Sequence, residues 1–245
     1  MTKGGPYLVE TPWSHHAGKR HLSRPSTGLA TARTRRRVLA LALPVTVVLL
    51  LFGGALTPRG LDRPLTSLAG ALRELRIAAA HPGQVYFSNV LVIFGLGTLG
   101  ASFFAITVLA SDHDRVLATT AGVIGWFGAF CGAVANVLIG FDLAAAAAIH
   151  VSPAAAQILV SANTATAAWV FFAGYFAGLP VAVLLTGIAL WRSQAMPRWL
   201  PVLFVVALLA GALAPPGIVS VPLSLPFVIV MMLLARRIWD TVPGR

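Results

Sequence analysis

The chain has 245 residues, of which 58% are hydrophobic and only 10% are charged. A soluble domain carries about 25% charged residues, so this composition excludes an ordinary soluble fold. The formal net charge of +11 then indicates membrane topology and contact with anionic lipid, and we expect no nucleic-acid partner.

The first 37 residues are polar, carry no apolar periodicity and are predicted to form a disordered, basic cytoplasmic tail. Twin arginines at its end precede an apolar stretch, an arrangement that resembles an export signal. The stretch, about 38–56, is longer than the roughly 7–15 residues of a signal core. We therefore expect an uncleaved membrane anchor.

Six apolar segments follow one another along the chain, each near the ~20 residues that a membrane-spanning helix needs. Their approximate bounds are 38–56, 85–110, 116–140, 165–190, 199–214 and 218–235. The sequence therefore predicts an all-α, polytopic, six-helix transmembrane domain over residues 38–240, with a short cytoplasmic end at 241–245.

Two loops between these segments contain helical signals. Asp62 and Pro64 are suited to start a helix that continues to Ala80. Leucines there recur at helical spacing opposite charged side chains: Leu65, Leu68, Leu72 and Leu75 against Arg73, Glu74 and Arg76. We predict an amphipathic helix on the outer surface. In the loop 141–162, Ser152-Pro153 is typical of a helix start.

Positive charge orients the six-span arrangement. In this arrangement 14 of the 18 basic residues lie on one face: Lys3, Lys19, Arg20, Arg24, Arg33, Arg35, Arg36, Arg37, Arg115, Arg192, Arg198, Arg236, Arg237 and Arg245. The other four, on the outer face, are Arg59, Arg63, Arg73 and Arg76. Basic loops stay in the cytoplasm, so both termini are predicted to be cytoplasmic. Arginine outnumbers lysine 16 to 2, which indicates a bacterial protein, multi-pass in the cytoplasmic (inner) membrane.

Glycines at helical spacing predict which segments pack together. They are Gly122, Gly125, Gly128 and Gly132 in the third segment, and Gly174 and Gly178 in the fourth. Small residues let helix backbones approach closely where lipid supplies no hydrophobic driving force. We expect the second, third and fourth segments to pack through these faces, with the first segment more peripheral.

Three asparagines, Asn89, Asn136 and Asn163, fall on the same glycine faces and toward the outer half of the membrane. Asp142 follows at the outer rim. His81 and His150 lie in the adjoining loops. One interpretation is a polar pocket open to the outside; the other is hydrogen bonding between helices together with ordinary interfacial side chains.

Other motifs do not predict chemistry. The G-x-G-x-x-G at residues 95–100 lies mid-segment and lacks the strand that a dinucleotide site requires. Cys131 has no histidine near its depth. Asp142, His81 and His150 could bind zinc by ligand type, but their spacing matches no metal motif. We assign no catalytic or metal residue and expect no cofactor.

Residues 189–200, ALWRSQAMPRWL, resemble a cytoplasmic turn of uncharacterised six-helix bacterial integral membrane proteins of a domain-of-unknown-function family. Pro201 stands where those proteins tend to have glycine. The resemblance implies six helices and no known activity.

For function we expect a non-enzymatic assembly or regulatory component of the membrane. The alternatives are a small carrier or channel for a solute or lipid, and a membrane-embedded enzyme. The expected contacts are the lipid bilayer, anionic lipid at the cytoplasmic face, and a membrane-protein partner or a second copy of the chain.

Overall fold

The computed structural model describes residues 26–61, 66–111, 113–194, 196–212, 217–218 and 220–240. All regular structure in those ranges is helical, which confirms the predicted fold class at that level. The helices are α1 (Ser26–Leu56), α2 (Leu68–Ala80), α3 (Pro82–Ala110), α4 (Arg115–Ile149), α5 (Pro153–Thr164), α6 (Thr166–Ser193), α7 (Trp199–Ala212) and α8 (Ser220–Asp240).

Five of these helices, namely α1, α3, α4, α6 and α8, are long and apolar enough to cross a membrane. The chain therefore has the character of a multi-pass membrane protein. Helix α7 is also apolar but has 14 residues, which cover about 21 Å at 1.5 Å per residue. That is shorter than the ~30 Å of hydrocarbon in a bilayer.

The helix bounds differ most from the predicted segments at two places. Helix α1 begins at Ser26, so the end of the predicted tail is helical. Helix α4 continues to Ile149, well past the predicted end at 140. Its last turns contain a run of alanines, the strongest helix formers, which explains why the helix does not stop. Residues 1–25 and 241–245 lie outside the described part of the chain.

The buried face of helix α2 agrees with the prediction at Leu75 but departs from it at Leu68 and Glu74. The hydroxyl of Ser67 caps the helix by accepting a hydrogen bond from the Gly70 N–H at 3.2 Å; the predicted cap Asp62 lies outside the described residues. Leu68 is 42% exposed whereas Glu74 is only 2% exposed, so the predicted outward direction of Glu74 is wrong. The buried face packs on α4 and α5 and consists of Ala71, Glu74, Leu75 and Ala78.

The other six helices form a closed ring. Each contacts the next in the order α1, α3, α4, α6, α7, α8 and back to α1. Contacts at both ends of the α1–α8 pair show that these two helices run antiparallel. The Gly217 N–H donates to the Gly54 carbonyl oxygen at 2.9 Å near one end. The Arg37 guanidinium carbon lies 5.4 Å from the centre of the Trp239 ring at the other.

Helix α1 was expected to be more peripheral than α3, α4 and α6, yet it is a full member of this ring and packs along α3. Its residues Ala40, Leu43 and Val47 are buried in the main core. An added Cβ at Gly53 would lie 2.8 Å from the Val92 side chain of α3. The close approach arises because α1 packs along both α3 and α8.

Glycines carry the contacts of α4 with both of its neighbours. An added Cβ at Gly125 would overlap the Phe103 ring of α3. One at Gly128 would lie 2.8 Å from the backbone nitrogen of Leu179 in α6. The remaining glycines predicted to pack also face these neighbours: Gly122 lies against Thr107 and Phe104, Gly132 against Tyr175, Gly174 against Cys131 and, less tightly, Gly178 against Gly128.

The two ends of the ring differ in charge. We call the end where α1 begins and α8 ends the basic end; the opposite end, where α2 and α5 connect ring helices, is the cap end. The cap end carries Arg59, Arg73 and Arg76 among the described residues. The basic end carries Arg35, Arg36, Arg37, Arg115, Arg192, Arg198, Arg236 and Arg237.

Candidate functional site

A cavity of about 360 Å³ lies inside the ring, toward its cap end. Every ring helix contributes to its wall, so the cavity is central rather than a groove between two neighbours. It is lined by Leu50, Leu51, Gly54, Thr57, Leu61, Ser88, Asn89, Val92, Leu96, Leu99, Asn136, Tyr175, Leu179, Leu208, Gly211, Ser220, Ser224 and Phe227.

Asn89 is the most buried amide of the cavity wall, with 3% of its surface exposed. Its side-chain nitrogen Nδ2 donates to the backbone carbonyl oxygen of Asn136 in α4 at 3.1 Å. Because a carbonyl oxygen can only accept, this bond identifies which of the two amide atoms is the nitrogen. The other amide atom, Oδ1, has no hydrogen-bond partner within the described part of the chain.

Gly140 makes room for the Asn89 amide on the surface of α4. A Cβ added at Gly140 would overlap Nδ2, Cγ and Oδ1 of Asn89. The side chain of Asn89 therefore lies directly on the α4 backbone, and only glycine at position 140 permits this arrangement. Asn89 is consequently a fixed part of the wall.

Three hydroxyl groups of the cavity wall donate to backbone carbonyls of the preceding turn. Thr57 Oγ1 donates to Gly53 O at 2.8 Å. Ser88 Oγ donates to Val85 O at 3.0 Å, and Ser220 Oγ to Gly217 O at 2.7 Å. A hydroxyl has one proton and two lone pairs, so each of these oxygens retains acceptor capacity only. At these three positions the wall therefore offers hydrogen-bond acceptors, while the hydroxyls of Tyr175 and Ser224 can also donate.

Most of the remaining wall, deeper in the ring, is apolar, with Tyr175 and Ser224 as polar exceptions. Leu99 lies ten residues after Asn89 in α3, which corresponds to about 15 Å along the helix axis. Leu96 of α3, Leu179 of α6 and Phe227 of α8 line the same region. The cavity thus has a polar part near the cap end and an apolar part that extends toward the basic end.

The structure brings only two of the predicted pocket residues, Asn89 and Asn136, to this cavity. Asn163 is equally buried, but it lies in α5 and donates to its own helix at Leu159 O, 2.8 Å away. Asp142 and His150 are exposed on and after the last turns of α4. His81 lines a separate cleft at the cap end.

Sequence reasoning missed all five hydroxyls of the wall: Thr57, Ser88, Tyr175, Ser220 and Ser224. A signal for part of this set is present, because Ser220 and Ser224 are one helical turn apart in an otherwise apolar segment. Ser88 directly precedes Asn89, so two polar side chains enter α3 at one level.

Among the described residues, no group of three His, Cys, Asp or Glu side chains could hold a metal ion. The charged side chains of the described chain all lie away from the cavity wall. Comparisons with family models, curated proteins and solved structures found no match. Functional assignment therefore rests on the geometry of the cavity.

Proposed function

We propose that the chain is a non-enzymatic integral membrane protein that binds a small molecule in its central cavity, as a carrier does. The observation that carries this proposal is the cavity of about 360 Å³ lined by all six ring helices. The cavity is partly open, so a small molecule can enter it from outside the ring.

The composition of the wall favours binding over catalysis. An active site needs a nucleophile or a paired acid and base within reach of the substrate. The wall offers hydroxyls, amides and aliphatic groups instead. Binding without chemistry also fits the regulatory role expected from the sequence, but the cavity specifically favours the carrier.

We propose that α7 crosses the membrane in addition to the five long helices, which gives six spans. We also propose that both termini lie in the cytoplasm of a bacterial cell. The arginines of the basic end support this orientation, because basic loops remain cytoplasmic. Arg198, whose guanidinium carbon lies 5.8 Å from the Trp191 ring centre, is suited to anionic lipid at that face. Helix α2 would then be the amphipathic helix at the outer face.

The cavity can be tested with a photoreactive alkyl probe, such as a diazirine-bearing alkane of about a dozen heavy atoms, in phospholipid nanodiscs. We expect the probe to label Leu99 and Phe227 as well as lipid-facing Phe94. Gly54→Leu should abolish the cavity labels alone, because a Cβ at Gly54 makes only an ordinary 3.5 Å contact with Ser220 Oγ and the longer side chain enters the cavity.

The matched control for this experiment is Gly97→Leu. Gly97 is a helical glycine that is exposed and has nothing within 4 Å of an added Cβ. It does not line the cavity, so its labelling should match the wild type. Absence of label at Leu99 and Phe227 in the wild type would refute the binding function.

Topology can be tested by labelling single cysteines in a Cys131→Ala background with a membrane-impermeant maleimide on intact cells. The exposed positions Ser67, His113 and Gln194 are suitable. We expect labelling from outside at position 67 only. Labelling from outside at position 113 or 194 would contradict the proposed orientation.

A further inference from the structure

The polar part of the cavity offers acceptors to a ligand. The hydroxyl protons of Thr57, Ser88 and Ser220 are already engaged by backbone carbonyls at 2.7–3.0 Å. Their oxygens can therefore accept a hydrogen bond from a ligand but cannot donate one without breaking an existing bond. A ligand head that carries an O–H or N–H group can bond to these three oxygens, whereas an ether oxygen, which only accepts, cannot; the hydroxyls of Tyr175 and Ser224 on the same wall can donate.

The wall also selects against charge. Within the described part of the chain, the lining residues carry no carboxylate, ammonium, guanidinium or imidazole group. A charged head would therefore be buried without an opposite charge, which is costly in a low-dielectric interior. The ligand that fits is uncharged.

The volume of the cavity and its apolar part indicate the size of the ligand and the nature of its tail. The volume of about 360 Å³ is more than twice the roughly 150 Å³ of an engineered protein cavity that holds benzene. By that ratio, the ligand has on the order of a dozen heavy atoms. Leu96, Leu99 and Phe227 would surround its tail, which calls for an alkyl or isoprenyl chain.

Resting on the proposed binding function, we infer that the ligand is an uncharged amphipathic molecule, an alcohol or primary amide with a single hydrocarbon tail. Its donor group lies at the cap end, against Ser88 and Thr57. Its tail extends toward the basic end along α3.

The test compares four competitors of one chain length against a photoreactive decanol in phosphatidylcholine nanodiscs. They are 1-decanol, decyl methyl ether, decanoate and decylammonium. Labelling at Leu99 and Phe227 is quantified relative to lipid-facing Phe94, which corrects for partitioning into the bilayer. We expect 1-decanol to compete about tenfold better than the ether, the value of one hydrogen bond near the upper end of its usual range. Both charged compounds should compete less than 1-decanol.

A pair of double variants isolates the role of the hydroxyls. Thr57→Val with Ser88→Ala should bring the alcohol and the ether close to equal competition. The control, Thr46→Val with Ser102→Ala, also removes one threonine and one serine hydroxyl from the α1 and α3 segments. Thr46 and Ser102 are buried but do not line the cavity, so the tenfold preference should persist there.

Each outcome decides a separate point. If the photoreactive decanol labels the cavity but the ether or a charged compound competes as well as 1-decanol, the inferred ligand class is wrong while binding stands. A preference that survives in the Thr57→Val, Ser88→Ala variant also overturns it. If no probe labels Leu99 or Phe227, the binding function itself fails.

Discussion

Replacing Gly140 with alanine tests the packing that holds the cavity wall in place. The new Cβ would overlap the amide group of Asn89. Asn89 is 3% exposed and is held by its hydrogen bond to Asn136 O at 3.1 Å. It therefore cannot move aside without losing that bond or separating α3 from α4.

The expected loss of stability can be worked out from three contributions. Overpacking a well-packed site by one methyl group costs about 1–3 kcal/mol. The lost hydrogen bond between helices adds about 0.6 kcal/mol, the mean measured inside membranes. Alanine in place of glycine returns up to about 1 kcal/mol of helix propensity. The net destabilisation of Gly140→Ala is therefore about 1–3 kcal/mol.

A double-mutant cycle with Asn89→Ala assigns this loss to the contact itself. The free energy of unfolding is measured by SDS titration in mixed micelles, followed by tryptophan fluorescence. With the amide removed, Gly140→Ala should be neutral or stabilising by up to about 1 kcal/mol, which gives a coupling of about 2 kcal/mol. Gly97→Ala, whose Cβ meets nothing within 4 Å, is the matched single control.

The reasoning would be refuted if Gly140→Ala were as stable as Gly97→Ala. It would also be refuted if Gly140→Ala cost the same free energy with and without the Asn89 amide. Either result would mean that the Asn89 side chain does not lie on the α4 backbone.

Three further predictions follow from other contacts. Gly128→Ala should destabilise the protein by about 2 kcal/mol or more, because the added Cβ meets the α6 backbone at 2.8 Å. The control Gly211→Ala, whose Cβ enters open space, should stay within about 0.5 kcal/mol of the wild type. Equal free-energy costs of the two variants in SDS unfolding would contradict this prediction. The buried hydroxyls of Thr46 and Ser102, 3.0 Å apart, should show a coupling of about 0.6 kcal/mol in a Thr46→Val, Ser102→Ala cycle; zero coupling would remove this link between α1 and α3. Cys131 is buried, so a maleimide should modify it only on unfolding, as followed by mass spectrometry, and prompt labelling of the folded protein would argue against the α4–α6 contact.

The sequence correctly predicted the start of α5 and the presence of the long apolar helices, because both depend on short stretches of the chain. Ser152 caps α5 by accepting a hydrogen bond from Ala155 N at 3.2 Å, with Pro153 in the first turn as predicted. The signals for α1, α3, α4, α6 and α8 came from apolar runs, which a membrane-spanning helix shows whatever its neighbours are. The alanine run before Ile149 misled the prediction because its composition was assigned to a loop, although alanine favours continued helix.

The candidate site was only partly visible in the sequence. Asn89 and Asn136 were expected to meet because both lie on glycine faces, and the cavity contains both. Asn163 satisfied the same pattern, yet it lies in α5 and does not line the cavity. Ser220 and Thr57 were overlooked because a hydroxyl in an apolar helix can bond to its own backbone and so gives no sign of a site.

By itself, the sequence determined the composition of a membrane protein and the separation of basic residues between its two ends, because hydrophobicity and charge are additive properties of segments. The tertiary structure decided that α1 joins the ring, that Glu74 faces inward and that six helices leave a cavity between them. Helices that are apolar all round carry little periodic signal to identify their neighbours. Their partners are chosen by the close fit of glycines such as Gly128 and Gly140 against one particular neighbouring helix, which only the assembled structure reveals.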